Sequence, residues 1–127
     1  MPDTAMKIYL SGPITGIPDS NRPLFASVAA DLRRRGYDVV SPIEHDHLAA
    51  GNDWSDYLRK DLRLIADCDA IAVLPKWNRS RGARLEVYIA ITLGMPVLEC
   101  ESMEACPITV ASEPVFSLSG INEGALG

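Results

Sequence analysis

Two carboxylates stand where their neighbours in the sequence are apolar. Around the first, Trp54, Leu58, Leu62 and Ile65 share one stripe of a helix at about 100° per residue. Asp61 falls beside Trp54 on that stripe, whereas Asp56, Arg59, Lys60 and Arg63 fall elsewhere. A carboxylate on a buried face is costly unless it is paired, hydrogen-bonded or protonated. Asp61 is therefore either a helix-edge side chain bonded to a nearby loop, or a carboxyl with a tuned pKa placed for acid–base work. The second, Glu86, is the sole charge between Leu85 and Met95, a run apolar on almost every side. We place it in the first helical turn, where the helix dipole favours an anion. A favourable N-terminal glutamate and a functional one both fit that position.

Other residues suggest a ligand with a phosphate and a planar ring. Lys76, Arg79, Arg81 and Arg84 form a basic cluster in an otherwise acidic chain. Ser80, Arg81 and Gly82 precede a helix, so free backbone N–H groups there are able to cradle a phosphate. Gly12, Ile14 and Gly16 offer a second such loop, although the spacing is not that of the common dinucleotide or P-loop fingerprints. Tyr9, Trp54 and Trp77 are candidates to stack on a base, and equally candidates for core or rim. His45 and His47 alternate in a loop with no third ligand cluster in the sequence, so no metal and no cofactor are expected. Cys68 has no activating partner in the sequence and reads as core.

The elements that must position these residues follow from periodicity and punctuation. Strands are expected at Lys7–Ser11, 37–41, 69–74 and 96–100, with a fifth at 114–118. A loop covers residues 12–22. Asp19, Ser20 and Asn21 are candidate caps for a first helix, which has Pro23 in its first turn and ends in Arg33-Arg34-Arg35-Gly36. Helices follow at about 53–66 and 82–93. This β-α-β-α-β-α-β order specifies an α/β fold, a flavodoxin-like three-layer sandwich with a parallel sheet in the order 2-1-3-4-5. Ligands in such sheets sit at the carboxyl ends of the strands near the order switch, where loops 12–22 and 75–81 meet.

Composition narrows the class. The chain has 127 residues, with 12 Lys+Arg against 17 Asp+Glu, and a net charge of −5. Hydrophobic residues make up 47%, so one domain spanning 1–127 is expected, with a core at about 7–100 and a tail at 101–127. The acidic balance argues against binding nucleic acid by counterion release. The longest apolar stretch, residues 87–98, is too short to span a bilayer, so no membrane partner is expected. Three scattered cysteines and the lack of a basic-then-apolar leader point to a reduced, cytoplasmic protein. A third helix apolar all round is expected to be buried all round, one face on the sheet and the other on a second copy, giving a homo-oligomer, dimer or higher.

Tyr9 with Ser11-Gly12-Pro13-Ile14-Thr15-Gly16, then Asp61-Leu62, then Asp69-Ala70-Ile71-Ala72-Val73, then Ser80-Arg81-Gly82-Ala83-Arg84-Leu85-Glu86 resembles the nucleoside 2-deoxyribosyltransferase superfamily. The pattern is closest to the branch that hydrolyses 2′-deoxynucleoside 5′-monophosphates, and to phage and bacterial proteins of unassigned role with the same core. The resemblance implies Glu86 as the nucleophile at the anomeric carbon, Tyr9 as the group that orients it, and Asp61 as the acid that protonates the departing base. It implies substrate and phosphate contacts from Gly12, Ile14, Gly16, Ser80 and Gly82, and an acidic–His pair, Glu44-His45, lining the site. Thr15 stands where the hydrolase branch carries an Arg, and Arg84 where it carries a Gly; Arg79 or Arg81 is the candidate to supply the missing charge. The implied reaction is N-glycosidic cleavage of a nucleoside or nucleotide through an oxocarbenium-like state, as hydrolase or transferase. It calls for a raised pKa at Asp61. The alternative is a non-catalytic nucleotide-binding or regulatory module using the same crevice.

Overall fold

Strand β1 (Lys7–Ser11) organises the molecule because its side chains alternate between two helical layers. On one face, Ile8 and Leu10 pack with Phe25, Ala29 and Leu32 of α1 (Arg22–Arg34). On the other, Tyr9 packs with Ile65 of α2 (Trp54–Ala66) and with Val87 and Ala90 of α3 (Arg81–Thr92). The computed structural model describes residues 5–108.

Three further strands, β2 (Asp38–Val40), β3 (Ala70–Val73) and β4 (Val97–Glu99), complete a parallel sheet in the order β2-β1-β3-β4. Tyr9 is in register with Val40 on one side and Ile71 on the other, and Ser11 with Val73. The strand order changes direction at β1, so the carboxyl ends of β1 and β3 open into the same crevice. The α/β three-layer architecture thus agrees with the sequence reading through β4. The fifth strand expected at 114–118 lies outside the described residues. Observed strands are shorter than expected by up to two residues, because their end residues turn into loops.

One local expectation changes. The loop 12–22 ends in a tight turn, Pro18–Asn21, in which Asp19, Ser20 and Asn21 all have φ near +55° to +60°. Asn21 does precede α1, but its side chain donates to the Pro13 carbonyl at 2.9 Å and not to the helix. It closes the loop on itself instead of capping. Helix α3 is not covered on every face within one chain, which leaves the face expected to meet a second copy partly open. Leu85, Ile89 and Ile91 are half-buried, and Leu93 beyond the helix end is 56% exposed.

At the mouth of the crevice the two strand ends touch. The Leu74 N–H donates to the Ser11 carbonyl at 2.9 Å, which draws Gly12 against Leu74. A Cβ at residue 12 would lie 2.7 Å from Leu74 Cβ, an atom fixed to the backbone. Gly12→Ala is therefore expected to destabilise the fold by about 1–3 kcal/mol, the usual cost of overpacking. Urea denaturation checks this, and a midpoint equal to that of the parent protein would contradict it.

Candidate active site

Helix α2 carries Asp61 into the crevice, and α3 carries Glu86 to meet it. The start of α2 is set by Asp56, whose carboxylate accepts from the Asp53 N–H at 3.1 Å. That of α3 is set by Ser80, whose Oγ accepts from the Ala83 N–H at 3.2 Å. Both acids are buried, Asp61 at 7% exposure and Glu86 at 6%. Both line a cleft of about 720 Å³ together with Gly12, Ile14, Trp54 and Gly82.

Glu86 is held at both oxygens. The Tyr9 hydroxyl donates to Oε2 at 3.1 Å and the Ser11 hydroxyl to Oε1 at 2.7 Å. Tyr9 and Ser11 are two apart on β1 and so present the same face to the carboxyl. Because α3 begins at Arg81, Glu86 falls in the second helical turn and not the first. Its placement is therefore due to these two hydroxyls more than to the helix dipole, which fades beyond the first turn. The Glu86 carboxyl is pushed well above the ordinary glutamate range. Burial is the largest cause, followed by the charge of Asp61 and a hydrogen bond with it, and the two hydroxyls act the other way. A second carboxyl close by in a dry setting makes ionising Glu86 costlier still. Tyr9 is pushed up as well, by burial first and then by the charges of Glu86 and Asp61, which keeps it a neutral donor.

Asp61 has a cation beside it that the periodicity of α2 does not reveal. Lys60 is 2% exposed, and its Nζ lies 2.7 Å from Asp61 Oδ1. The contact is close but not aligned as a hydrogen bond, and among the described residues Oδ1 has no hydrogen-bond partner. The same Nζ donates to the Pro42 carbonyl at 2.8 Å and to Asp46 Oδ1 at 3.3 Å. The sequence places Lys60 on an outer face; it is buried because residues Pro42–Leu48 coil into a 3₁₀ turn against that side of α2.

A second cation, Arg81, opens α3 and stacks on Trp54, its guanidinium carbon 4.3 Å from the ring centre. Its Nη2 is buried and, among the described residues, has no hydrogen-bond partner. Of the two arginines named from the sequence, Arg81 lines the cleft, and Arg79 is exposed outside it.

Most expected residues converge here: Tyr9 behind Glu86, and Gly12, Ile14, Asp61, Ser80, Gly82 and Glu86 along the cleft. Gly16 and His45 are not in its lining. Gly16 occupies an exposed turn at φ +80°, a conformation that suits glycine without any ligand. Glu44 is drawn outward by Arg33, which binds its two oxygens at 2.6 and 2.9 Å and holds its pKa down. The kink at His45 (φ −121°, ψ 18°) then turns Asp46 to the cleft in its place. Burial pushes the Cys68 thiol up to about 11, as suits a core residue. Among the described residues no three His, Cys, Asp or Glu side chains gather to hold a metal ion. No helix there is long and apolar enough to cross a membrane.

Comparison with known proteins places this geometry. Residues 6–99 match the model of the family described as "Domain of unknown function (DUF4406)". The chain belongs to the DUF4406 family. Its fold is nucleoside 2-deoxyribosyltransferase-like. A 2-deoxyribosyltransferase from Bacillus psychrosaccharolyticus superposes on the DUF4406 chain with a TM-score of 0.59 at 22% identity, over 73% of this chain and 70% of that one. A 2-desoxiribosyltransferase from Leishmania mexicana gives a TM-score of 0.57 at 24% identity, over 74% of this chain and 63% of that one. The DUF4406 chain thus spans less than two thirds of the Leishmania protein. No curated protein matches it in sequence.

The raised Glu86 carboxyl makes stability depend on pH. Its proton is held more tightly in the folded state than in the unfolded state, where the ordinary value of 4.5 applies. Its contribution to stability is complete below that pH and is lost as pH rises toward the folded value. Glu86→Gln removes this loss. Calorimetric melting of both proteins from pH 4.5 upward is expected to show the variant gaining on the parent as pH increases. Parallel curves would contradict the assignment.

Proposed function

We propose that this protein cleaves the N-glycosidic bond of a nucleoside or 2′-deoxynucleoside 5′-monophosphate, passing the sugar to water or to a second base. The observation that carries the reading is the buried pair of carboxyls, one of them gripped by two hydroxyls, facing a cleft large enough for a nucleotide. The fold shared with two 2-deoxyribosyltransferases supports it.

Cleavage of a sugar–base bond develops positive charge at the anomeric carbon and negative charge on the leaving base. The first needs an anion on one side, and the second needs a proton on the other. A coupled pair sharing one proton supplies both. In this reading the proton that Glu86 holds in the resting site passes to Asp61, so that Glu86 attacks as the anion, with Tyr9 and Ser11 fixing its direction, and Asp61 delivers that proton to the base. The covalent glycosyl–Glu86 bond that forms is then broken by water, activated by the carboxylate left on Asp61. No cofactor takes part.

The phosphate end lies at the start of α3. Gly82 leaves the backbone bare there: a Cβ would come no nearer than 3.9 Å to Trp54, so a side chain would occupy open cleft. The Ser80 hydroxyl accepts from the helix and still has its own proton to donate. Arg81, with an unpartnered N–H, supplies the positive charge that Thr15 does not. We also assign the half-covered outer face of α3 to contact with a second copy of the chain, and the cytoplasm as its place of action.

Chromatography of a panel of nucleotides after incubation tests the reaction. Free base is expected from at least one nucleoside monophosphate. Glu86→Gln should lower its release to background, and Asp61→Asn should slow it by about 10²–10⁴-fold. Saturable nucleotide binding without turnover, insensitive to Glu86→Gln, would instead mark a binding or regulatory module. Arg81→Met is expected to weaken binding of the monophosphate more than that of the matching nucleoside. Calorimetric titration of both ligands measures the difference, and equal losses would remove Arg81 from the phosphate end.

A further inference from the structure

We propose that Lys60 is a positioning residue for the carboxyl pair: its buried ammonium holds Asp61 in the cleft and keeps one negative charge on the pair. The inference rests on the glycosidic reading above and adds a residue to it.

Two carboxyls alone in a dry cleft would shed charge by taking up protons. A doubly protonated pair has a proton to give but no anion to attack with. A doubly ionised pair has the reverse fault. The useful state has one proton and one charge, and a single nearby buried cation favours it, because one ammonium balances one carboxylate.

Lys60 fits that requirement. Its side chain is 3% exposed, so water does little to neutralise it. Its Pro42 partner is an uncharged carbonyl. Asp46, at 37% side-chain exposure, is partly satisfied by solvent. Asp61, at 10%, is its buried anion. The other groups around the pair are the Tyr9 and Ser11 hydroxyls from β1, Tyr57 from α2 and Asp46 from the 3₁₀ turn; Arg22, which also lines the cleft, pairs with Asp46 at 3.1 Å. Arg81 is stacked on Trp54 five residues before Glu86, about 7.5 Å along the helix axis. The ammonium also crosses between elements, since Pro42 and Asp46 sit on the turn after β2 while Lys60 and Asp61 sit on α2. Closing that link fixes the side of α2 from which Asp61 enters the cleft.

The test compares the parent protein with Lys60→Met, Lys60→Gln and Lys60→Arg. Gln keeps a donor for the Pro42 carbonyl without the charge, and serves should Met not fold. The first readout is the pH dependence of base release from a nucleoside monophosphate. Loss of the charge is expected to move the rising limb upward by about 1–3 pH units, and Lys60→Arg to return most of that shift. A uniform loss at every pH with the midpoint unchanged would reduce Lys60 to a structural contact and overturn the proposal. The second readout is the infrared band of the protonated Glu86 carboxyl, identified by its absence in Glu86→Gln. Its disappearance with rising pH should likewise come later without the lysine charge, and an unmoved midpoint would overturn the proposal. The band needs no turnover. A protein that releases no base yet shows the shift would refute the glycosidic reading while sustaining the charge-holding role of Lys60.

Discussion

The site depends on the burial of two acids within reach of each other. Water normally keeps such groups apart in energy by solvating each one separately. Here the sheet, α2 and α3 close around both, so the ionisation of one is felt directly by the other. Several contacts in the cleft answer that constraint. Tyr9 and Ser11 satisfy Glu86 from below. Lys60 stands against Asp61 from the side. The apolar contacts of Tyr9 with Ile65 and Val87 keep the back of the pair dry.

This arrangement explains why the polar residues lie where they do in the fold. A parallel sheet offers its strand ends as the one place where backbone pairing stops and side chains from several elements meet. Ser11 ends β1, the strand at which the order changes direction, and Tyr9 lies two residues before it on the same face. The helix packed over that end must then bring its partner acid from the sheet side, which α3 does with Glu86. An acid on a helix elsewhere would face either core or bulk water.

Much of this was legible in the residues. Alternating strand and helix patterns lead to the parallel order through β4, and the misfit of Asp61 and Glu86 in apolar surroundings points to the cleft. Ser11 was within reach of the same reasoning, since it shares a strand face with Tyr9. Lys60 was not. Helical periodicity describes one buried stripe, and it is blind to a 3₁₀ turn that covers a second side of the helix. His45, expected from the resemblance alone, lies outside the cleft lining because residues 42–48 coil and Asp46 faces the cleft instead. The pairing of Arg81 with Trp54 joins residues 27 positions apart across two helices, a contact that neither local pattern encodes.

Arg81 and Glu86 belong to one uninterrupted helix, with Gly82 between them. A rigid rod of this kind acts as a ruler. The spacing from the cation to the acid is set by backbone geometry and is indifferent to loop motion, to the tail and to the sheet edge. Inserting or deleting one residue between them would swing one end about 100° around the axis. In the nucleotide reading, the distance from the phosphate contact to the reacting carbon is thus written into the pitch of α3.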